Sequence, residues 1–234
     1  MTDSSIAVAG DNGIFIEVKD FIQIKPLLNE ALLGEDHLLQ VFRKDAIHVF
    51  TSANAAKILS KCYFHQHDTF YVIGKPNICC ISGSTRKAVE NVFPDCNILA
   101  ESPYGSELGN AIVALGNITS VNFFCGNIRR NELPDTLKKA NIEVKEFVIY
   151  ESIPAPTVTA TDYDGILFFS PSAVKSYLSA NRLDSKTVCF AIGRTTATEL
   201  REHTDNKIIM STNISEDAMV QTAIFYFNNI NCYE

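Results

Sequence analysis

Two short loops rich in glycine and hydroxyl groups carry the first candidate chemistry. Gly83-Ser84-Thr85 and Gly193-Arg194-Thr195-Thr196 each follow an apolar run and open onto helix-compatible sequence. A helix start leaves its first backbone N–H groups without intrahelical partners, and the aligned peptide dipoles add partial positive charge there. Such a loop can receive an anion, and equally its hydroxyls can serve only to cap the helix. Neither loop is a GxxxxGK[ST] phosphate loop, and no GxGxxG follows a strand. Ser52, after Phe50-Thr51, and Ser170-Pro171-Ser172 occupy further junctions of the same kind. At the second, Ser172 is placed at the N-cap with Pro171 just before it. Tyr150 ends the apolar run of Phe147–Pro156 ahead of a proline-rich connector. A phenol there can donate a proton or hydrogen bond to a leaving group, or pack as an amphipathic aromatic at a domain junction.

Other chemistry is weakly supported. Cys62, His65 and His67 match no strong zinc spacing, and no metal site is assigned. His48 lies in an apolar strand and reads as a core residue, while His37 and His203 read as exposed helix ends. No Ser–His–Asp order and no paired carboxylates stand out. The seven cysteines form no CxxC pair. Cys79, Cys80, Cys125 and Cys189 sit in apolar runs as small hydrophobes, which fits a reducing, cytoplasmic setting. A net charge of −7, with the basic pairs Arg86-Lys87, Arg129-Arg130 and Lys138-Lys139 isolated, argues against nucleic acid. Most of those pairs read as solvated helix faces. No apolar run approaches the roughly 20 residues of a membrane span, and the N-terminus lacks the pattern of a signal peptide.

The elements that must position these loops alternate. Apolar strands around Ile14–Ile24, Ile47–Phe50, Thr69–Ile73, Ile78–Ile81, Asn97–Ala100, Val121–Cys125 and Ile166–Phe169 are interleaved with helical stretches. The helices are placed at Leu27–Leu39, Asn54–Lys61, from Ser84-Thr85 to Phe93, Leu108–Leu115, Pro134–Ala140, Ala173–Leu178 and Ala218–Phe227. This is the pattern of βαβ units and a mostly parallel sheet.

The text also repeats. Ile16–Phe21 reads IEVKDF and Ile142–Phe147 reads IEVKEF; Phe50-Thr51-Ser52 returns in Phe168-Phe169-Ser170. Ser82–Thr85 returns in Ile192–Thr196, and Ser106-Glu107 in Ser215-Glu216. The offsets are 126, 118, 110 and 109 residues, collinear and slowly drifting, which indicates two copies of one unit. In open parallel sheets ligands bind beyond the carboxyl ends of the strands, where all these loops fall. Two copies facing each other would bring both sets into one cleft.

With these residues in view, the chain resembles the uroporphyrinogen-III synthase family. The likeness is carried by Phe168–Ser172, Ala191–Ala197, Val148–Ser152 and Phe50–Asn54, and spans roughly Ile16 to Phe227. It implies two similar parallel-sheet α/β domains joined by a two-stranded linker, with the active-site cleft between them. Domain 1 would be residues 1–22 plus 156–234, domain 2 residues 29–147, and the linkers 22–28 and 148–156. The reaction implied is cyclisation of the linear tetrapyrrole hydroxymethylbilane, with inversion of the last pyrrole ring and loss of water, by a monomer without cofactor or metal.

The resemblance implies Tyr150 as the group assisting hydroxyl departure. It implies Ser52, Ser84, Thr85, Ser170, Ser172, Arg194, Thr195 and Thr196 as substrate-binding groups. Lys175 and Arg86 stand near the same loops in the sequence and can add local positive charge. The family usually begins with a strand ending in Thr-Arg and then a helix. No Thr-Arg is present, so Ile6–Ala9 is either a shortened first strand or that element is missing. Two other classes share the repeat: a non-catalytic two-domain binder of an anionic small molecule, and a degenerate family member acting as an interaction module.

Overall fold

The computed structural model describes residues 1–27, 40–42, 45–61, 75–159 and 162–230. The expected helix Leu27–Leu39 falls almost wholly outside these residues, as do the strand Thr69–Ile73 and Cys62, His37, His65 and His67. The chain divides into two compact units. The central unit is Ile24–Ser152, and the split unit is Met1–Gln23 with Ile153–Glu234. The chain passes from one to the other within β1 (Ile22–Pro26) and within β6 (Glu143–Pro154), which are neighbours in one sheet.

In the central unit, β2 (Ile47–Phe50), β3 (Asn77–Ile81), β4 (Asn97–Ser102) and β5 (Ser120–Gly126) complete a six-stranded sheet of order β1-β6-β5-β2-β3-β4. The pairs β2/β3, β2/β5, β3/β4 and β5/β6 are all parallel. All four residues of β2 are buried, as expected of a strand covered on both faces. One face holds Phe50, Ile78, Cys80 and Phe124 against α2 (Ala53–Leu59) and α3 (Ser84–Val92). The other holds Val49, Cys79, Val121 and Phe123 against α4 (Gly105–Ala114) and α5 (Glu132–Lys139). Acidic Glu132 and Asp135 begin α5 and basic Lys138 and Lys139 end it, complementing its dipole.

In the split unit, β7 (Gly165–Phe168), β8 (Val188–Ala191) and β9 (Ile208–Met210) form a parallel three-stranded sheet in that order. α6 (Pro171–Ala180), α7 (Arg194–Arg201) and α8 (Glu216–Ile230) follow the three strands in turn. Both units are therefore parallel-sheet α/β assemblies.

Of the two readings of Ile6–Ala9, the shortened strand is excluded: these residues lie in α1 (Asp3–Asp11), which Thr2 caps. Gly13 at φ 76° ends that helix, and Ile14 N–H returns to the Ala9 carbonyl at 3.0 Å, a closure that glycine permits. The strand expected over Ile14–Ile24 exists only from Ile22; residues 14–21 join no ladder, because β6 provides a neighbour for β1 and none for them. The N-cap of α6 is Ser170 and not Ser172: Ser170 Oγ accepts from Ala173 N–H at 3.1 Å, leaving Pro171 at the first helical position. Proline suits that place because its missing N–H would have had no partner.

Candidate functional site

Parallel strands end on one edge of a sheet, and the candidate residues of each unit line up along such an edge. In the central unit Ser52 follows β2, Ser84 and Thr85 follow the neighbouring β3, and Tyr150 lies in β6 beside the end of β5. In the split unit Ser170 and Ser172 follow β7, and Arg194, Thr195 and Thr196 follow β8.

The helix starts that carry the candidate residues are of two kinds, repeated in both units. Ser52 caps α2, its Oγ accepting from Asn54 N–H at 3.2 Å, just as Ser170 caps α6. By contrast, α3 and α7 begin at Gly83 and Gly193, which offer no side-chain cap. Gly83 sits at φ 75°, a conformation costly for other residues. A glycine cap leaves first-turn N–H groups for an external acceptor, where a serine cap consumes one. The two glycine loops are thus the better anion receivers.

Burial sorts the candidate side chains. Ser84 and Arg194 are exposed and Thr195 is half-buried, so they can reach a ligand. Thr85 and Thr196 are 4% and 1% exposed, so their side chains face their own units. Ser170 and Ser172 share a hydrogen bond of 3.2 Å between their hydroxyls. Arg86 is occupied by Glu90 and Glu101, each at 2.8 Å, and Lys175 pairs with Glu199 at 3.2 Å. The local charge expected from these two is therefore already matched by carboxylates. Arg129 is not on a helix face; it lies in the loop after β5 and grips Glu146 at 2.6 Å.

Tyr150 is 6% exposed and packs in the core with Phe50, Phe124 and Ile149. Burial pushes its phenol above the ordinary range, while a hydrogen bond with the Ser52 hydroxyl acts in the other direction. The phenol therefore stays protonated at neutral pH and can donate. Its ring lies directly on Gly126, where a Cβ would stand 2.6 Å from Tyr150 Cζ. Sequence reasoning had not singled out Gly126 or Asn127. The available signal was a glycine closing a buried strand, a common mark of close backbone approach.

Cys79, Cys80, Cys125 and Cys189 are buried free thiols. Burial pushes Cys79 and Cys80 up to about 12 and Cys125 and Cys189 up to about 11, so they are unreactive. His48 is a core residue, as its setting indicated. Among the described residues one carboxylate–imidazole group, Glu199, Glu202 and His203, has its ligand atoms close together. There Glu199 already pairs with Lys175 and His203, an ordinary surface arrangement.

No helix of the described residues is long and apolar enough to cross a membrane. Among curated proteins no sequence match is found. Among solved structures, the uroporphyrinogen-III synthetase of Helicobacter pylori superposes with a TM-score of 0.63 at 17% identity, covering 88% of this chain and 91% of that one. A substituted uroporphyrinogen III synthase from the extreme thermophile Thermus thermophilus gives a TM-score of 0.60 at 12% identity, over 97% and 95% of the two chains. At such identities these structures establish the shared two-domain α/β fold. The family model for uroporphyrinogen-III synthase HemD matches residues 20–221, most of the chain and all of the loops described above, and the chain belongs to that family, whose members are lyases.

Proposed function

We propose that this chain cyclises hydroxymethylbilane to uroporphyrinogen III, with Tyr150 assisting the departing hydroxyl. The observation that carries the reading is the family match over residues 20–221. The recurrence of glycine-capped helix starts at Gly83 and Gly193 adds a physical reason. The substrate bears several carboxylates and can close unaided to the wrong isomer. An enzyme must chiefly hold one geometry, which is catalysis by positioning. The first-turn N–H groups of α3 and α7, with Ser84, Arg194 and Thr195, receive carboxylates. The buried Thr85 and Thr196 support those turns from inside, and Ser52, Ser170 and Ser172 add hydroxyls at the neighbouring strand ends.

Tyr150 hydrogen-bonds the ring-A hydroxyl as its C–O bond breaks, giving water and an azafulvene. Ring D attacks through its substituted carbon, and the spiro intermediate fragments and recloses with ring D inverted. The proton released as the pyrrole regains aromaticity balances the one that left with the water. A buried phenol with a raised pKa gives up its proton reluctantly, so its contribution is a donated hydrogen bond more than full transfer. The protein works as a monomer in the cytoplasm, a reducing compartment that suits the described free cysteines.

The test is isomer analysis. Hydroxymethylbilane is generated in situ, the protein is added, and the oxidised uroporphyrins are separated. Predominantly type III product is expected; only type I from folded protein would overturn the reading.

A further inference from the structure

We propose that Asn127, together with Gly126, is the positioning residue that aims Tyr150. The proposal rests on the reading of Tyr150 given above and extends it to residues that do not touch the substrate. The β5/β6 ladder runs in steady register from Ser120 opposite Glu143 to Cys125 opposite Val148. It then skips a residue, so that Gly126 stands opposite Tyr150 and Ile149 is passed over. An extra residue in one strand bends it and re-aims the side chains beyond it. The consequence is visible in the packing. Successive residues of a regular strand point to opposite faces. Phe147 and Val148 do so, packing against different cores, yet Ile149 and Tyr150 both enter the core of Phe50 and Phe124. Tyr150 therefore owes its direction to the bulge.

Asn127 grips the chain at Tyr150 and just beyond it. Its backbone N–H donates to the Tyr150 carbonyl at 3.0 Å. Its Oδ1 accepts from Ser152 N–H at 2.9 Å and from Ile128 N–H at 2.9 Å. Gly126 supplies the bare backbone on which the ring lies, and Ser52 meets the hydroxyl. Backbone, ring face and hydroxyl of Tyr150 are thus each fixed from a different side. The side chain at 127 needs an oxygen acceptor at that length, which aspartate retains and leucine lacks.

The experiment uses the full chain with Asn127→Leu and Asn127→Asp, each alone and combined with Tyr150→Phe. Rates of type III formation are resolved into kcat and KM. The Tyr150 ring signal is followed by NMR of tyrosine-labelled protein and assigned by its loss in Tyr150→Phe. Asn127→Leu should lower kcat about 10-fold with KM changed less than about twofold, and displace the Tyr150 signal. Asn127→Asp should recover most of both. In the Tyr150→Phe background the leucine change should add less than about twofold, since its effect runs through the tyrosine.

An equal loss of kcat with and without Tyr150 would overturn the proposal, as would an unmoved Tyr150 signal in Asn127→Leu. Should Asn127→Leu not fold, Asn127→Ser, which shortens the side chain and keeps the backbone bond, is read against the same criteria. If Tyr150→Phe alone leaves kcat unchanged, the role given to Tyr150 fails, and the ring signal alone decides whether Asn127 aims it.

Discussion

β2 of the central unit has a parallel strand on each side, β3 and β5, and all four of its residues are buried. β7, its counterpart in the split unit, has β8 on one side and no ladder partner on the other among the described residues. Only Phe168 of β7 is buried. In the split unit α1, Ile14 and Ile16 pack with Leu167 around Ala9, Val220 and Ile224. The same contrast separates two nearly identical hexapeptides. Glu143–Phe147 of IEVKEF pair with β5 within β6, whereas IEVKDF, at Ile16–Phe21, joins no ladder and leaves Val18 48% exposed. Local sequence made both competent for a strand; a neighbour made one of them a strand. The central unit is accordingly the tighter scaffold, and it is the one that holds Tyr150.

The largest effect expected from this difference is at glycine. Gly126→Ala drives a Cβ into the Tyr150 ring, within 2.6 Å of Cζ and closer still to the ring edge, and the buried surroundings leave the ring no room. A loss of about 3 kcal/mol is expected, the upper part of the overpacking range. Gly193→Ala in the split unit meets only Ile214 at 3.7 Å and should cost under about 1 kcal/mol. Urea unfolding of both variants measures the gap, and equal losses would break the comparison.

The second effect is acid sensitivity of the central unit. His48 is fully buried beside Phe42 and Phe124, and among the described residues neither ring nitrogen has a hydrogen-bond partner. Burial lowers its pKa to about 3. Above the unfolded value of about 6.5, neither state binds a proton and His48 adds no pH dependence to stability. Below it only the unfolded chain takes the proton, so stability falls by about 1.4 kcal/mol per pH unit until the folded value is reached. At pH 5 the loss from this group is about 2 kcal/mol. The described histidine of the split unit, His203, is exposed and engaged by Glu199. His48→Phe should flatten the difference in unfolding free energy between pH 7 and pH 5 by that amount. An unchanged pH slope would show that another group causes it.

Much of this was legible in the sequence. Alternating apolar runs marked β2, β3, β4, β5 and β7, though not β8 or β9, and the drifting repeat pointed to two units, because βα units write their period openly. His48 and the buried cysteines were placed by their apolar neighbours alone. Where the reading failed, a competing local rule had been available: Pro171 at the first helical position points to Ser170 as the cap, and Thr2 with Gly13 brackets a helix. Asn127 was beyond reach of any such rule. Its partners across the ladder are Tyr150 and Ser152, more than 20 residues away, and the bulge that gives the contact meaning exists only in the paired ladder.

Smaller effects sharpen the comparison at the paired caps. Ser52→Ala and Ser170→Ala each remove a cap oxygen, and each should cost about 1 kcal/mol. Ser52→Ala also strips the partner from a buried hydroxyl, which adds about 1 kcal/mol and releases the end of Tyr150. A double substitution with Tyr150→Phe separates the two contributions: the excess of Ser52→Ala over Ser170→Ala should vanish in that background.

The smallest expected effect is at Arg86, and its smallness is informative. Arg86 and Thr196 occupy the third position of equivalent glycine-capped helices, α3 and α7, so a sequence comparison alone invites the guess that this arginine meets an anionic substrate. The guanidinium is instead committed to Glu90 in its own helix and Glu101 in β4, both partly exposed. Exposed pairs of this kind contribute little, so Arg86→Gln should change stability by less than about 1 kcal/mol. It should also leave KM for hydroxymethylbilane unchanged, because the two glutamates already satisfy the charge a carboxylate would seek. Steady-state kinetics on the variant measures this. A severalfold rise in KM would mean that the ion pairs open when substrate arrives, and that the central unit binds with charge as well as with its backbone.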